Sequence, residues 1–247
     1  MNGTEVRPII RTVTVTGADD SVRPEDLVTI QKDYPFLEFG ILLSSGQQGS
    51  SRFPSADWLE KLHEIWLKEK LVLSAHLCGK WVKDLCLGVP SFFEEFKTGW
   101  EMFERYQLNF QAENHFLNEA RFLAVIGKYL DKKPIIFLAG EENDHVFFKM
   151  EVFIAQCSVL FDLSGGAGIL PQSWPRVLRD FYCGYAGGLS PDNLQSEMQK
   201  IAQMTSGNEI WIDAETWLRS GNDKIFDLDK VCDFAEKAKP WVIQQAT

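Results

Sequence analysis

The chain has 247 residues, 45% of them hydrophobic, with a net charge of −10 and a pI of about 5.0. It is long enough to bury a large core and too apolar for a disordered chain. It is too acidic to offer the basic face that nucleic acid requires, and no run is long and apolar enough to span a bilayer.

The odd cysteine count (Cys78, Cys86, Cys157, Cys183 and Cys232) and the lack of a C-x-x-C pair argue against a disulfide framework or a structural zinc site. Cys157, Cys183 and Cys232 lie in apolar runs and are expected in the core. The polar segment Met1 to Pro8 lacks the apolar stretch of a signal peptide, so a cytoplasmic location is expected.

Strand-like and helix-like segments alternate along the chain. Ile9–Thr16 and Phe36–Leu43 read as strands. Ser55–Glu69 reads as a helix that opens on a serine N-cap and sets Leu59, Leu62, Ile65 and Trp66 on one face. Leu71–His76 is the third strand. The long crossover from Cys78 to Arg105 is expected to hold an extra helical turn or two, with a helix over Ser91–Arg105 that gathers Phe92, Phe93, Phe96, Trp100 and Phe103. Tyr106–Phe110 and Pro134–Leu138 follow as strands, separated by a helix over His115–Leu130. An apolar helix over Asp144–Gln156 precedes the strand Ser158–Asp162. Phe181–Ala186 and Glu209–Asp213 are the last strands, with capped helices over Ser190–Gln203 and Asp227–Lys239.

Parallel neighbours need crossovers, so this alternation implies an α/β fold with a parallel sheet. Eight units in about 250 residues is the size of a closed (β/α)8 TIM barrel. An open doubly wound sheet is the alternative. Against it, the first strand runs into Thr14-Val15-Thr16-Gly17-Ala18-Asp19 and not into a G-x-G-x-x-G turn. No low-complexity linker interrupts the chain, and a single domain over residues 1–247 is expected.

Two glycine-rich turns follow apolar runs. One is Asp162-Leu163-Ser164-Gly165-Gly166-Ala167-Gly168 and the other is Ala186-Gly187-Gly188-Leu189-Ser190-Pro191. Paired glycines let the backbone approach a ligand and aim bare N–H groups at it. Ser190-Pro191 reads as an N-cap followed by proline at the first helical position, the arrangement of an anion cradle. In a barrel, function sits at the C-terminal ends of the strands. That directs attention to Thr16, Ser44, His76, Asn109, Asp162, Ala186 and Asp213.

At these strand ends the chain resembles phosphoribosylanthranilate isomerase, a (β/α)8 enzyme family, nearly from end to end but divergently. Val13-Thr14-Val15-Thr16-Gly17 stands where the family has K-I-C-G, and Ser51-Arg52-Phe53 is similar to its arginine-bearing second loop. Tyr106-Gln107-Leu108-Asn109 resembles V-Q-L-H. Leu160-Phe161-Asp162 with the following glycines resembles L-L-D and G-G-S/T-G. Ala186-Gly187-Gly188-Leu189-Ser190-Pro191 resembles A-G-G-L-N-P, and Ile212-Asp213 resembles the last strand's V-D.

The resemblance implies an Amadori-type isomerisation of a sugar phosphate or a related small anionic substrate, with no cofactor and no metal. It implies Asp162 as the general acid, Arg52 as the grip on a substrate carboxylate, and the Gly187-Gly188 turn as part of a phosphate site. Thr16 replaces the family's cysteine base, and a threonine hydroxyl does not ionise near neutral pH as a thiol partly does. In the family's small-residue phosphate loop this chain has Glu215 and Trp217, and a carboxylate there repels phosphate unless a cation such as Arg219 compensates.

Each candidate also has a plain structural reading. Asp162 is either a general acid of raised pKa or the cap of its own turn. His76 and Cys78 share a strand face and supply either the missing base or a core histidine beside a small apolar thiol. Asn109 and Gln107 either line the pocket or pair with each other, and Asp213 binds a sugar hydroxyl or caps a turn. Asp19-Asp20 reads as a solvated loop, and His63, His115 and His145 have no clear partner. Lys70 precedes its strand and Lys80 lies in a loop, so neither suits a Schiff base. The expectation is a divergent isomerase, monomeric or homodimeric, acting on a small anionic molecule, with no nucleic-acid or membrane partner. The alternative is a repurposed barrel that binds such a molecule without turning it over.

Overall fold

The computed structural model describes residues 7–96, 99–110, 117–130, 133–140, 143, 157–162 and 164–244. Within them eight parallel strands close into a barrel in sequence order. They are β1 (Ile10–Thr16), β2 (Leu37–Leu43), β3 (Leu73–Leu77), β4 (Arg105–Leu108), β5 (Ile135–Leu138), β6 (Cys157–Phe161), β7 (Tyr182–Tyr185) and β8 (Ile210–Ala214).

Residue parity explains the closure. Along β2, Leu37, Phe39, Ile41 and Leu43 join the large core between strands and helices, as do Val13 and Val15 of β1. The intervening Thr14, Thr16, Glu38 and Gly40 point into the ring. A separate apolar cluster of Ile136, Leu160, Ala186 and Trp211 fills part of the interior. Each large apolar side chain withdrawn from water contributes about 1.5–3 kcal/mol.

The rest of the interior is polar. Arg105 donates from Nε to Glu38 Oε2 at 2.8 Å and from Nη2 to Glu38 Oε1 at 2.6 Å. Thr14 Oγ1 donates to Glu38 Oε1 at 2.9 Å, and the guanidinium lies over the Trp211 ring at 4.7 Å. Both charges are buried, so the two-pronged pairing is what makes their removal from water tolerable.

The crossovers run through α1 (Pro24–Asp33), α2 (Ala56–Glu69), α3 (Lys80–Cys86), α4 (Ser91–Glu95), α5 (Glu119–Tyr129), α6 (Leu194–Met204) and α7 (Leu228–Ala238). Ser55 caps α2 by accepting from Trp58 N, and Asp227 caps α7 by accepting from Lys230 N. None of the described helices is long and apolar enough to cross a membrane.

Three expectations need correction. The helix expected over Ser91–Arg105 stops at Glu95; a 3-10 turn over Trp100–Met102 follows, and Arg105 already belongs to β4. Gly99 sits at φ 82°, and a Cβ there would meet the His63 ring at 2.4 Å, so the chain turns sharply at that point. Regular helix after β7 begins at Leu194, not Ser190; Ser190 and Asn193 bond reciprocally and cap the turn that leads into it. A small antiparallel pair, Arg219–Ser220 with Ile225–Phe226, follows β8 and has no counterpart in the sequence reading. The helix expected over Asp144–Gln156 and the histidines His115 and His145 lie outside the described residues.

Candidate functional site

A cavity of about 500 Å³ opens at the C-terminal ends of the strands. Most residues nominated from the sequence line it, but Thr16 and Ser44 do not. His76, Cys78, Asn109 and Asp213 come from strands or the residues just beyond them, and Arg52, Asp162, Gly187 and Gly188 come from the loops.

The register builds the floor by aligning Thr16 with Gly40, Leu42 with His76, and His76 with Gln107. Asp213 is buried at 6% exposure, and its Oδ1 accepts from the Thr16 hydroxyl at 2.7 Å. Burial pushes its carboxyl well above the ordinary carboxylate range. The Thr16 bond opposes that rise, and the charges of Glu215, Glu38 and Asp162 add to it.

His76 is 2% exposed, and its ring has no hydrogen-bond partner among the described residues. Burial, reinforced by the Arg105 charge, lowers it to about 3, so the imidazole is neutral. Gly40 keeps the space between these groups open. A Cβ there would come within 2.2 Å of Thr16 Oγ1 and 3.0 Å of His76 Nε2.

Cys78 is not the thiolate partner of that imidazole. Its Sγ faces the backbone carbonyl of His76 at 3.6 Å and accepts from Asn109 Nδ2 at 3.2 Å, and burial pushes the thiol up to about 11. Asn109 in turn accepts from Gln107 Nε2 at 2.9 Å. Asn109 and Gln107 therefore pair with each other and also face the cavity, and the buried Gln107 Oε1 has no partner among the described residues.

Asp162 stands as a turn cap. Its Oδ1 accepts from Ser164 N at 3.1 Å and Ser164 Oγ at 2.8 Å, and its Oδ2 accepts from Gly166 N at 2.8 Å. Gly187 and Gly188 have φ values of 104° and 71°, and a Cβ on Gly188 would meet Leu170 N at 2.5 Å. The double glycine thus admits the β6–β7 loop at close range, the second use of residues without a Cβ. Among the described residues the N–H groups of Gly187 and Gly188 carry no hydrogen bond, whereas Ser190 N is taken by Asn193 Oδ1 at 2.9 Å.

The rim settles the question raised by Glu215. Arg52 Nη1 pairs with its Oε1 at 2.5 Å, while Arg52 Nε reaches Asp223 at 2.7 Å. The carboxylate therefore faces a guanidinium held in place by the backbone bond from Arg52 N to Asp19 Oδ2 at 2.7 Å. Arg219 does not compensate Glu215. It is buried beneath the rim, donating to the Gly17 carbonyl and to Asp19 Oδ2.

Asp19 is buried in a clasp and not solvated, whereas Asp20 is exposed. Asp19 takes Ser21, Arg52 and Arg219, and Asp20 takes Ser55. Burial acts to raise the Asp19 carboxyl, but these bonds outweigh it and hold the group below its usual range. Trp217, 52% exposed, closes the mouth by donating from Nε1 to Gly168 O at 2.8 Å.

Gly40 and the pairing of Thr16 with Asp213 were not singled out in the sequence. The signal available for them was strand parity, since Thr16, Gly40, His76, Gln107 and Asp213 all have inward parity in their strands. Among the described residues no group of three or more His, Cys, Asp or Glu side chains is placed to hold a metal ion.

No protein-family model matches the sequence, and no curated protein matches it. Solved structures do match by shape. Phosphoribosyl anthranilate isomerase from Thermus thermophilus is similar at a TM-score of 0.57 and 14% identity, over 92% of this chain and 98% of that one. A truncated 3-deoxy-D-arabino-heptulosonate 7-phosphate synthase from Thermotoga maritima is similar at a TM-score of 0.51 and 15% identity, over 93% of this chain and 85% of that one. At such identities, what the likeness establishes is the TIM-barrel fold.

Proposed function

We propose that the chain is a cofactor-independent barrel enzyme that moves protons on a small polyhydroxylated anion, by an isomerisation of the Amadori type or a close chemical relative. The observation that carries this reading is the shared cavity. It gathers an acid, a neutral imidazole, a guanidinium and bare backbone N–H groups within one space of about 500 Å³.

In this reading a cavity carboxyl protonates the sugar ring oxygen and, as the carboxylate so formed, takes the proton from carbon, while His76, held neutral, offers a hydrogen bond. Cys78 supplies a weak hydrogen bond and no charge. The Gly187 and Gly188 amides receive the anionic group, with Arg52 at the rim balanced by Glu215. The test is turnover of phosphoribosylanthranilate, followed as loss of anthranilate-type fluorescence, together with a panel of pentose phosphates. Absence of turnover across that panel, at enzyme concentrations where a known isomerase reacts to completion, refutes the catalytic reading.

A second reading is favoured by one observation. The Thr16 hydroxyl stands in the place of the resembling family's base and is already committed to Asp213. A barrel that only binds its ligand would show this loss. Thermal-shift measurements separate the two, because a ligand at a hundred times its Kd stabilises the native state by about 2.7 kcal/mol whether or not it reacts. Stabilisation without any chemical change supports binding alone.

A further inference from the structure

We infer that Asp213, and not Asp162, is the proton donor of this cavity, with Thr16 as the residue that positions it. This rests on the proton-transfer reading above and names the group that performs its first step.

Among the described residues, four carboxyl groups stand inside the barrel or at its mouth, and three of them have strong partners. Glu38 is gripped by Arg105 through two bonds and by Thr14 through a third. Glu215 is paired with Arg52. Asp162 accepts from two backbone N–H groups and a hydroxyl of its own turn, so both of its oxygens are spent. Asp213 is the exception. It is buried, forms no ion pair among the described residues, and has a single neutral partner, Thr16, on one oxygen. Its other oxygen has no hydrogen bond among the described residues, and the side chain borders the cavity.

A buried carboxyl with one neutral partner and three carboxylates nearby is held most cheaply in the protonated form. The charged and titratable groups that face it are Glu215, Glu38, Asp162 and Arg105, and Arg105 is engaged by Glu38. The Thr16 bond fixes Oδ1 and leaves the second oxygen to carry the proton toward the ligand. Gly40 contributes by omission, since any side chain there would displace Thr16 and the His76 ring together.

The proton count closes without a co-reactant. Asp213 gives its proton to the ring oxygen. The ring C–O bond breaks and its electron pair stays on that oxygen, while the amine nitrogen supplies the pair that forms the iminium. The Asp213 carboxylate so formed takes the proton from the neighbouring carbon, which restores the acid and leaves an enol that tautomerises to the ketone.

The test reads protonation and not turnover. Infrared spectra of the full chain at neutral pH should show the C=O stretch of a protonated carboxyl, separate from the carboxylate bands. The band should be absent in D213N and present in D162N and E215Q. In T16V it should persist at higher frequency, because the hydrogen bond to its carbonyl oxygen is gone, so the assignment remains testable even where D213N folds poorly. A wild-type spectrum without the band overturns the inference, as does a band that disappears in D162N or E215Q instead. Once a substrate is in hand, D213N should lower kcat by about 10²–10⁴-fold, the usual contribution of general acid catalysis. A protein that shows the band but turns over nothing refutes the isomerase reading and upholds the protonated site.

Discussion

Acid should destabilise this protein through His76. An unfolded histidine titrates near 6.5, and burial beside Arg105 lowers His76 to about 3 in the folded chain. The sign follows from where protons bind. Between those two values the unfolded state takes up a proton that the native state refuses, so stability falls as pH falls. The contribution is fully present above pH 6.5 and is lost progressively on descending toward pH 3. The gap between the two values, at about 1.36 kcal/mol for each tenfold change in proton affinity, amounts to about 5 kcal/mol. That is a large share of the roughly 5–15 kcal/mol by which a domain is stable.

His76→Gln keeps a neutral hydrogen-bonding group of similar reach and removes the titration. The assay is the urea midpoint of both proteins at a series of pH values from about 7.5 to about 3.5. Carboxylates held below their usual range, such as Asp19, Asp84 and Glu197, also weaken in acid, but they are common to both proteins and cancel in the difference. Asp213 works in the opposite direction, favouring the folded state as pH falls, and it cancels as well. The wild type should lose several kcal/mol more than the variant over this range. Parallel curves would refute the claim that a neutral, buried imidazole borders the cavity.

Two further outcomes follow from the same region. Gly40→Ala should cost about 1–3 kcal/mol in the urea midpoint, because its Cβ would fall 2.2 Å from Thr16 Oγ1; an unchanged midpoint would show that the space is slack. Arg105→Met leaves Glu38 charged and unpaired in the barrel and should cost about 3–5 kcal/mol, most of it recovered when Glu38→Gln is added. If the double variant is no more stable than the single one, the pair is not what holds the interior.

The barrel was legible because its cause is local. Alternation such as Leu37-Glu38-Phe39-Gly40-Ile41 states which side of a strand faces outward, and the spacing of apolar runs states how many strands there are. The position of each site residue at a strand end followed from that count. What stayed hidden depends on partners distant in sequence. Asp19 read as a solvated acid because Arg219, 200 residues away, supplies the bond that buries it. Arg52 read as a grip on a substrate carboxylate, and its own carboxylate partners Glu215 and Asp223 stayed hidden because they lie more than 160 residues further on. The expected helix over Ser91–Arg105 ends at Glu95, and the chain continues through Gly99 at φ 82°, a conformation outside the helical region. For Asp162 the two sequence readings differ only in where its oxygens point, which composition and spacing do not encode.

A ring made from one chain has a seam where its first stave meets its last. Here that seam is riveted from above: Arg219, just past β8, holds the Gly17 carbonyl and Asp19, just past β1. Arg52 fastens the following loop to the same rivet. The beginning and end of the barrel therefore come undone together or not at all, which makes the terminal strands, so often the first to fray, among the better anchored parts of this molecule.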